Sequence, residues 1–181
     1  MFYSGIILFF GVHLIPLNSN IKEILKNRLG ENIYKGLFSL FSLFGFLLII
    51  FGYESGAVSL YSSNALALLF SGYIMFLSLT IIIAANLPTY IKKYTKHPMS
   101  LGIAIWSGLH LLTNSDVSSI VLFGTFLVYS VVSVVSAELR KPKTKQREPR
   151  IMFDSLSIFL GVILTWLAYN YHGYLSGVNL I

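Results

Sequence analysis

All 13 lysines and arginines of this chain fall into three short clusters, and the stretches between the clusters are almost uninterrupted apolar sequence. The clusters are Lys22, Lys26, Arg28 and Lys35, then Lys92, Lys93 and Lys96, then Arg140, Lys141, Lys143, Lys145, Arg147 and Arg150. Apolar runs punctuated this way are what a hydrocarbon core about 30 Å thick demands of spanning helices, since each needs roughly 20 apolar residues. Only 11% of residues are charged and 55% are hydrophobic, against about 25% charged in ordinary soluble domains. The pattern excludes a water-soluble globular fold and predicts an all-α, polytopic membrane helical bundle. A net charge of +6 does not make the chain a nucleic-acid binder, because cations confined to the ends of apolar runs belong to membrane-flanking loops. The expected partners are the lipid bilayer and an apolar or small-molecule ligand.

Six transmembrane helices and one short interfacial helix are expected, in a single domain over residues 1–181. The spans are residues 2–17, 33–53, 66–87, 98–113, 118–137 and 151–171. The first has neither a positive leader before it nor a small-residue cleavage site after it, so it is read as a retained span. Asn18, Ser19 and Asn20 offer capping side chains to residues 21–29, whose Ile21, Ile24, Leu25 and Leu29 recur at helical spacing beside cations, as in an interfacial helix. Pro98 suits the first turn of the fourth span, and Asn114, Ser115 and Asp116 form a tight connection able to cap the fifth. Short cytoplasmic loops carry the Lys and Arg excess. All three clusters lie on one side of six spans, which puts both termini on the outer side of the membrane.

The absence of cysteine excludes disulfides, thiolate metal sites and a cysteine nucleophile. Asp154 and Glu138 lie near the basic ends and Glu54 near the opposite loop, so no carboxylate pair is available for general acid–base work. No P-loop, dinucleotide glycine fingerprint or His-Glu-x-x-His zinc motif is present. Ser130, Ser133 and Ser136 form a close-packing row without a base beside it. Histidines are the informative residues. His13 shares a helix face with Phe9 and Gly5, and His110 shares one with Trp106 and Gly102, each spaced by four. A neutral imidazole beside an aromatic and a glycine recess suits axial ligation of a flat macrocycle, and it equally suits a hydrogen bond to a neighbouring helix. At 1.5 Å per residue His13 lies about 5 Å from the end of its span and His110 about 18 Å from the basic boundary, so His97 matches His13 better in depth while His110 has the apolar wall. His97 itself reads as a cap or anchor of the helix that Pro98 opens, or as part of a phosphate or cofactor site with Lys92, Lys93 and Lys96. His172, among Tyr169, Tyr171 and Tyr174, reads as part of an interfacial aromatic belt.

Over essentially its whole length the chain resembles the NnrU family of bacterial membrane proteins. The resemblance is carried by Phe10-Gly11-Val12-His13-Leu14-Ile15-Pro16, Tyr34-Lys35-Gly36-Leu37-Phe38-Ser39-Leu40, His97-Pro98-Met99-Ser100-Leu101-Gly102, Trp106-Ser107-Gly108-Leu109-His110, Leu122-Phe123-Gly124 and His172-Gly173-Tyr174-Leu175-Ser176-Gly177-Val178. Bacterial members are associated with denitrification, and plant and cyanobacterial relatives are ζ-carotene isomerases that hold haem b with two histidines. The resemblance therefore implies haem b ligated by His13 and His110, serving isomerase-like or redox chemistry; the helix-face spacing adds Phe9, Trp106 and Gly102 as cofactor-binding candidates, with His97 the candidate at the basic entrance. Ser107 stands where the isomerases carry a cysteine. His97-Pro98-x-x-x-Gly102 also resembles the cofactor motif of membrane methyltransferases that use S-adenosylmethionine, although Ser100 or Leu101 replaces the usual tyrosine and no downstream Arg-Glu-Glu element follows. Methyl transfer is thus the alternative activity, and a non-catalytic accessory role in nitrite and nitric oxide metabolism the third.

Overall fold

The computed structural model describes residues 1–54, 58–140 and 147–176, with side chains to Tyr174. Lys141, Lys143 and Lys145 of the third basic cluster and the closing Gly177-Val178 lie outside the described residues. Among the described residues the regular structure is helical, with one isolated antiparallel bridge between Ser59 and Asp116, and the chain forms two compact units, Met1–Glu54 and Ser55–Ile181.

In the first unit α1 (Phe2–Leu14) passes into a 3₁₀ turn, Ile15–Leu17. Pro16 cannot donate to the ladder and its ring crowds the preceding turn, so the α-helix tightens and ends there. Asn18 then turns extended, and its side-chain oxygen accepts from the Asn20 and Ile21 amides at 3.1 and 3.2 Å. These caps start α2 (Ser19–Leu29), and the chain bends by 96° between α1 with its 3₁₀ turn and α2. Gly30, at φ 81°, lets the chain leave α2 and enter α3 (Glu31–Gly52). Helices α1 and α3 meet backbone to backbone: a Cβ on Gly5 would stand 2.7 Å from the Ile49 nitrogen, and one on Gly45 would stand 2.8 Å from the Phe9 nitrogen. Small residues permit this approach where lipid supplies no hydrophobic drive.

The second unit contains α4 (Ala65–Leu69), α5 (Ser71–Ala84), α6 (Tyr90–Thr95), α7 (Pro98–Thr113), α8 (Val117–Glu138) and α9 (Ile151–Ser176). Helix α5 packs on α7 and α9, and α7 packs on α8. The α5–α7 crossing is sealed at Gly102, whose carbonyl accepts from the Ser78 hydroxyl at 2.8 Å. The α5–α9 crossing brings Gly161 against Thr80. Ser78, Ser107, Ser119 and Ser157 are 0% exposed while Ile7 and Phe51 are each 74% exposed. Small polar groups inside and large apolar side chains outside invert the arrangement of a water-soluble protein. This is a membrane helical protein.

Among the described residues, three of the six expected spans have the full length for crossing a bilayer. Glu31–Gly52, Val117–Glu138 and Ile151–Tyr174 are each long and apolar enough to cross a bilayer, and the bent pair Phe2–Leu17 with Ser19–Leu29 passes only as a pair. Helices α1, α5 and α7 have 13, 14 and 16 residues, about 20–24 Å at 1.5 Å per residue. The expected 66–87 helix is interrupted at Phe70, immediately before Ser71-Gly72, a small-residue pair of the kind at which helices kink. The segment 90–95, expected as loop, is the short helix α6, held by Asp154, whose carboxylate accepts from the Tyr90 and Ile91 amides at 3.0 Å each.

Candidate functional site

Both expected ligand histidines sit on short helices of the membrane protein, one in each unit. His13 on α1 donates from Nδ1 to the Phe9 carbonyl at 2.7 Å, and its ring lies 4.2 Å from the Phe9 ring and 5.2 Å from Phe38 of α3. His110 on α7 donates from Nδ1 to the Trp106 carbonyl at 2.9 Å, and its ring lies 5.1 Å from Trp106 and 4.4 Å from Phe123 of α8. Trp106 in turn meets Phe123 and Phe126 edge-on, both at 5.1 Å. A carbonyl oxygen can only accept, so Nδ1 carries the proton in both rings. In the neutral imidazole Nε2 is then the lone pair. The i−4 carbonyl thereby fixes both tautomer and ring orientation.

Beside His110 the second unit has a half-open cavity of about 240 Å³, bordered by Leu68, Met75, Leu109, His110, Tyr169 and His172. This is smaller than the roughly 300–1,000 Å³ of enclosed ligand pockets. His172 of α9 is the residue that sequence reasoning missed: its ring is 6.4 Å from that of His110, with the two planes 22° apart. The signal lay in the spacing of Thr165, Ala168, Tyr169 and His172, all of which border the cavity, but the neighbouring tyrosines suggested an aromatic belt.

The cavity end of α7 is held by the Ser- and Asn-rich loop before α4. Tyr61 donates to the Leu111 carbonyl and, at 2.8 Å, to that of Asn114, while the Ser63 hydroxyl donates to the Thr113 carbonyl at 2.7 Å. The Leu60 and Asn64 amides reach the Ser115 and Leu112 carbonyls at 2.9 Å each. The orphan carbonyls of the helix terminus are satisfied by this loop rather than by water. Asp116 caps α8 as expected, accepting from the Ser119 amide at 3.0 Å and its hydroxyl at 2.6 Å.

One geometric expectation needs correction, and one residue takes the anchoring alternative read for it. The recesses foreseen at Gly5 and Gly102 are filled by neighbouring helices: a Cβ on Gly102 would stand 2.5 Å from the Ile82 Cγ1 and 2.9 Å from the Ser78 carbonyl oxygen. His97 occupies the N-cap position of α7 without a side-chain bond to its backbone, and Nε2 instead donates to the Glu138 carboxylate at 2.8 Å. That hydrogen bond ties the start of α7 to the end of α8. His97 is also one helix length from His110, about 20 Å at 1.5 Å per residue, so the two do not share a site. Among the described residues no group of three or more His, Cys, Asp or Glu side chains is gathered to hold a metal ion.

No match is found among curated proteins or solved structures. The model of a family described as NnrU protein matches residues 1–180, which is essentially the full length, and the chain therefore belongs to the NnrU family.

Proposed function

We propose that this protein binds haem b in the membrane, with Nε2 of His13 and Nε2 of His110 as the iron ligands. The observation that carries this reading is the pair of Nδ1–H bonds to the Phe9 and Trp106 carbonyls, which puts the ring proton on Nδ1 in both residues, each against an aromatic ring. A macrocycle that supplies four of the metal's ligands itself needs only two imidazoles from the protein. Haem b held in this way supplies a redox-active iron whose potential and ligand access depend on the surrounding residues. The Trp106 carbonyl orients the His110 ring and fixes its tautomer. Trp106 and Phe123 keep water from the ring, and the cavity bordered by Leu68, Met75 and Leu109 receives a small or polyene ligand beside it. The activity is isomerase-like or redox chemistry linked to nitrogen-oxide metabolism. The topology we propose is six spans in the bacterial inner membrane, with the basic clusters cytoplasmic and both termini periplasmic, supported by the confinement of the cations to three clusters.

One observation favours a second ligand set. His172 stands 6.4 Å from His110 at the same cavity, which makes it the competitor of His13 for the role of second imidazole. The visible spectrum of the purified protein, oxidised and reduced, decides. A Soret band lost in His13→Ala and His110→Ala and kept in His97→Ala and His172→Ala supports the first set. Loss in His172→Ala with retention in His13→Ala supports the second, and a wild type purified without a Soret band after expression with haem precursor refutes haem binding. The alternative with S-adenosylmethionine at His97 requires binding of that cofactor in calorimetry, abolished by His97→Ala.

A further inference from the structure

A second cavity, of about 580 Å³, opens on the basic side of the second unit, bordered by Asn86, Thr89, Lys92, Lys93, Arg147 and Glu148. It lies where α5 ends at Ala84 and α9 begins at Ile151, so it sits at the depth where two apolar helices give way to polar chain, the headgroup level of a bilayer. Its walls are tied together. The Arg150 amide donates to the Pro88 carbonyl at 3.0 Å, and Asp154 holds the start of α6 through the Tyr90 and Ile91 amides. The buried Thr89 hydroxyl donates to the Ala84 carbonyl at 3.2 Å and accepts from the Lys92 amide at 3.0 Å.

The two lysines make contacts of their own. The Lys92 ammonium donates to the Ala85 carbonyl at 2.8 Å, which uses one of its three donors and leaves the group fixed at the wall. Lys93 stands 6.0 Å over the Tyr90 ring. With Arg147 these make three positive groups against one carboxylate, Glu148. The Asn86 amide nitrogen donates to the Ile82 carbonyl at 3.3 Å, so its side-chain oxygen is an acceptor. Cations for a phosphate and acceptors for hydroxyls, in a volume within the usual range for small ligands, define one ligand chemistry.

We infer that this cleft binds a glycerophosphate group, its phosphate against Lys92, Lys93 and Arg147 and its hydroxyls toward Asn86 and Glu148. The membrane depth favours an anionic lipid headgroup as the source over a soluble glycerophosphate. The inference is independent of the haem reading, since no residue is shared with the histidine sites.

The test is native mass spectrometry of the full chain released from nanodiscs of phosphatidylglycerol mixed with phosphatidylcholine of the same acyl chains, with glycerol 1-phosphate as the soluble probe in a parallel titration. Phosphatidylglycerol should be retained in preference to phosphatidylcholine. Lys93→Gln should weaken retention about threefold, as expected for a partly exposed charge contact, and Lys93→Gln with Arg147→Gln about tenfold. Glu148→Gln, which removes the opposing charge, should strengthen it. Thermal unfolding of each variant in the same detergent checks that the fold is kept. Equal retention of the two lipids together with no binding of glycerol 1-phosphate overturns the inference, as does undiminished binding in the folded double variant. Glycerol 1-phosphate binding that is lost in the double variant, without lipid preference, supports the phosphate site and assigns it to a soluble ligand.

Discussion

Gly102 and Gly108 lie on the same helix and offer a controlled comparison between a glycine that a neighbour needs and one that nothing needs. Replacing either by alanine gains about 1 kcal/mol of helix propensity. At Gly108 no heavy atom lies within 4 Å of the added Cβ, so the gain is kept. At Gly102 the Cβ meets Ile82 Cγ1 at 2.5 Å and the Ser78 carbonyl oxygen at 2.9 Å. The isoleucine can change rotamer, but the carbonyl belongs to the α5 backbone and can move only with its helix. Overpacking of this kind costs about 1–3 kcal/mol, and strain on the Ser78–Gly102 hydrogen bond adds about 0.6 kcal/mol, the average for such bonds within bilayers. Gly102→Ala should therefore be less stable than Gly108→Ala by about 2–4 kcal/mol, a gap of roughly 4–16 °C in Tm for a chain of this size. Thermal unfolding in one detergent at one scan rate measures it, the fixed rate being needed because unfolding of such proteins is often irreversible. Ile82→Ala added to Gly102→Ala should return only the part due to the side chain. Equal Tm for the two alanine variants would refute the reasoning. Equal Tm with haem lost only in Gly102→Ala would return Gly102 to the role of cofactor recess.

Gly5→Ala should destabilise the first unit while Gly11→Ala should not, since the Gly5 Cβ would meet the α3 backbone and the Gly11 Cβ meets nothing within 4 Å; limited proteolysis of the two variants reads the difference. Asp116→Ala should lower stability by about 1–2 kcal/mol through loss of the α8 cap, seen as a Tm drop that Asp116→Asn largely restores. Cysteines at Ser62 and Tyr94 should be labelled by an impermeant maleimide from opposite faces of intact spheroplasts and inverted vesicles, and labelling of both from one face refutes the six-span topology. Glu138→Gln should leave haem content unchanged, because the His97–Glu138 pair lies at the far end of α7 from His110; loss of haem would place that pair in the site.

The membrane class and the helix order were legible because apolar runs and cation clusters are one-dimensional signals. Residues 98–113 became α7 with the same bounds, since Pro98 opens the helix and Asn114 turns extended to close it. The 66–87 run was not legible as two helices, because hydropathy is blind to a kink at Ser71-Gly72 when both sides are apolar. Residues 58–64 carry no charge and no helical periodicity, yet their hydroxyls and amides complete the end of α7. Nothing local marks that role, since the carbonyls served are about 50 residues further along the chain.

The histidines illustrate the same limit at the level of chemistry. Spacing by four correctly paired His13 with Phe9 and His110 with Trp106, because i and i+4 share a helix face whatever surrounds them. The same spacing suggested a recess at Gly5 and Gly102, and there it failed, since a glycine face invites another helix as readily as a ligand and the bilayer supplies helices first. What closes on His110 instead comes from sequence far away: Phe123 of α8, and His172 and Tyr169 of α9. On the haem reading proposed above, a second imidazole at 6.4 Å changes what His110→Ala alone can mean, because a neighbouring histidine can take over a vacated ligand position. Only the double variant His110→Ala with His172→Ala removes both imidazoles from the cavity. If haem is retained with its wild-type spectrum in that double variant, the cavity beside α7 is not where the iron is held; if the double variant loses haem that the His110→Ala variant keeps, His172 substitutes for His110.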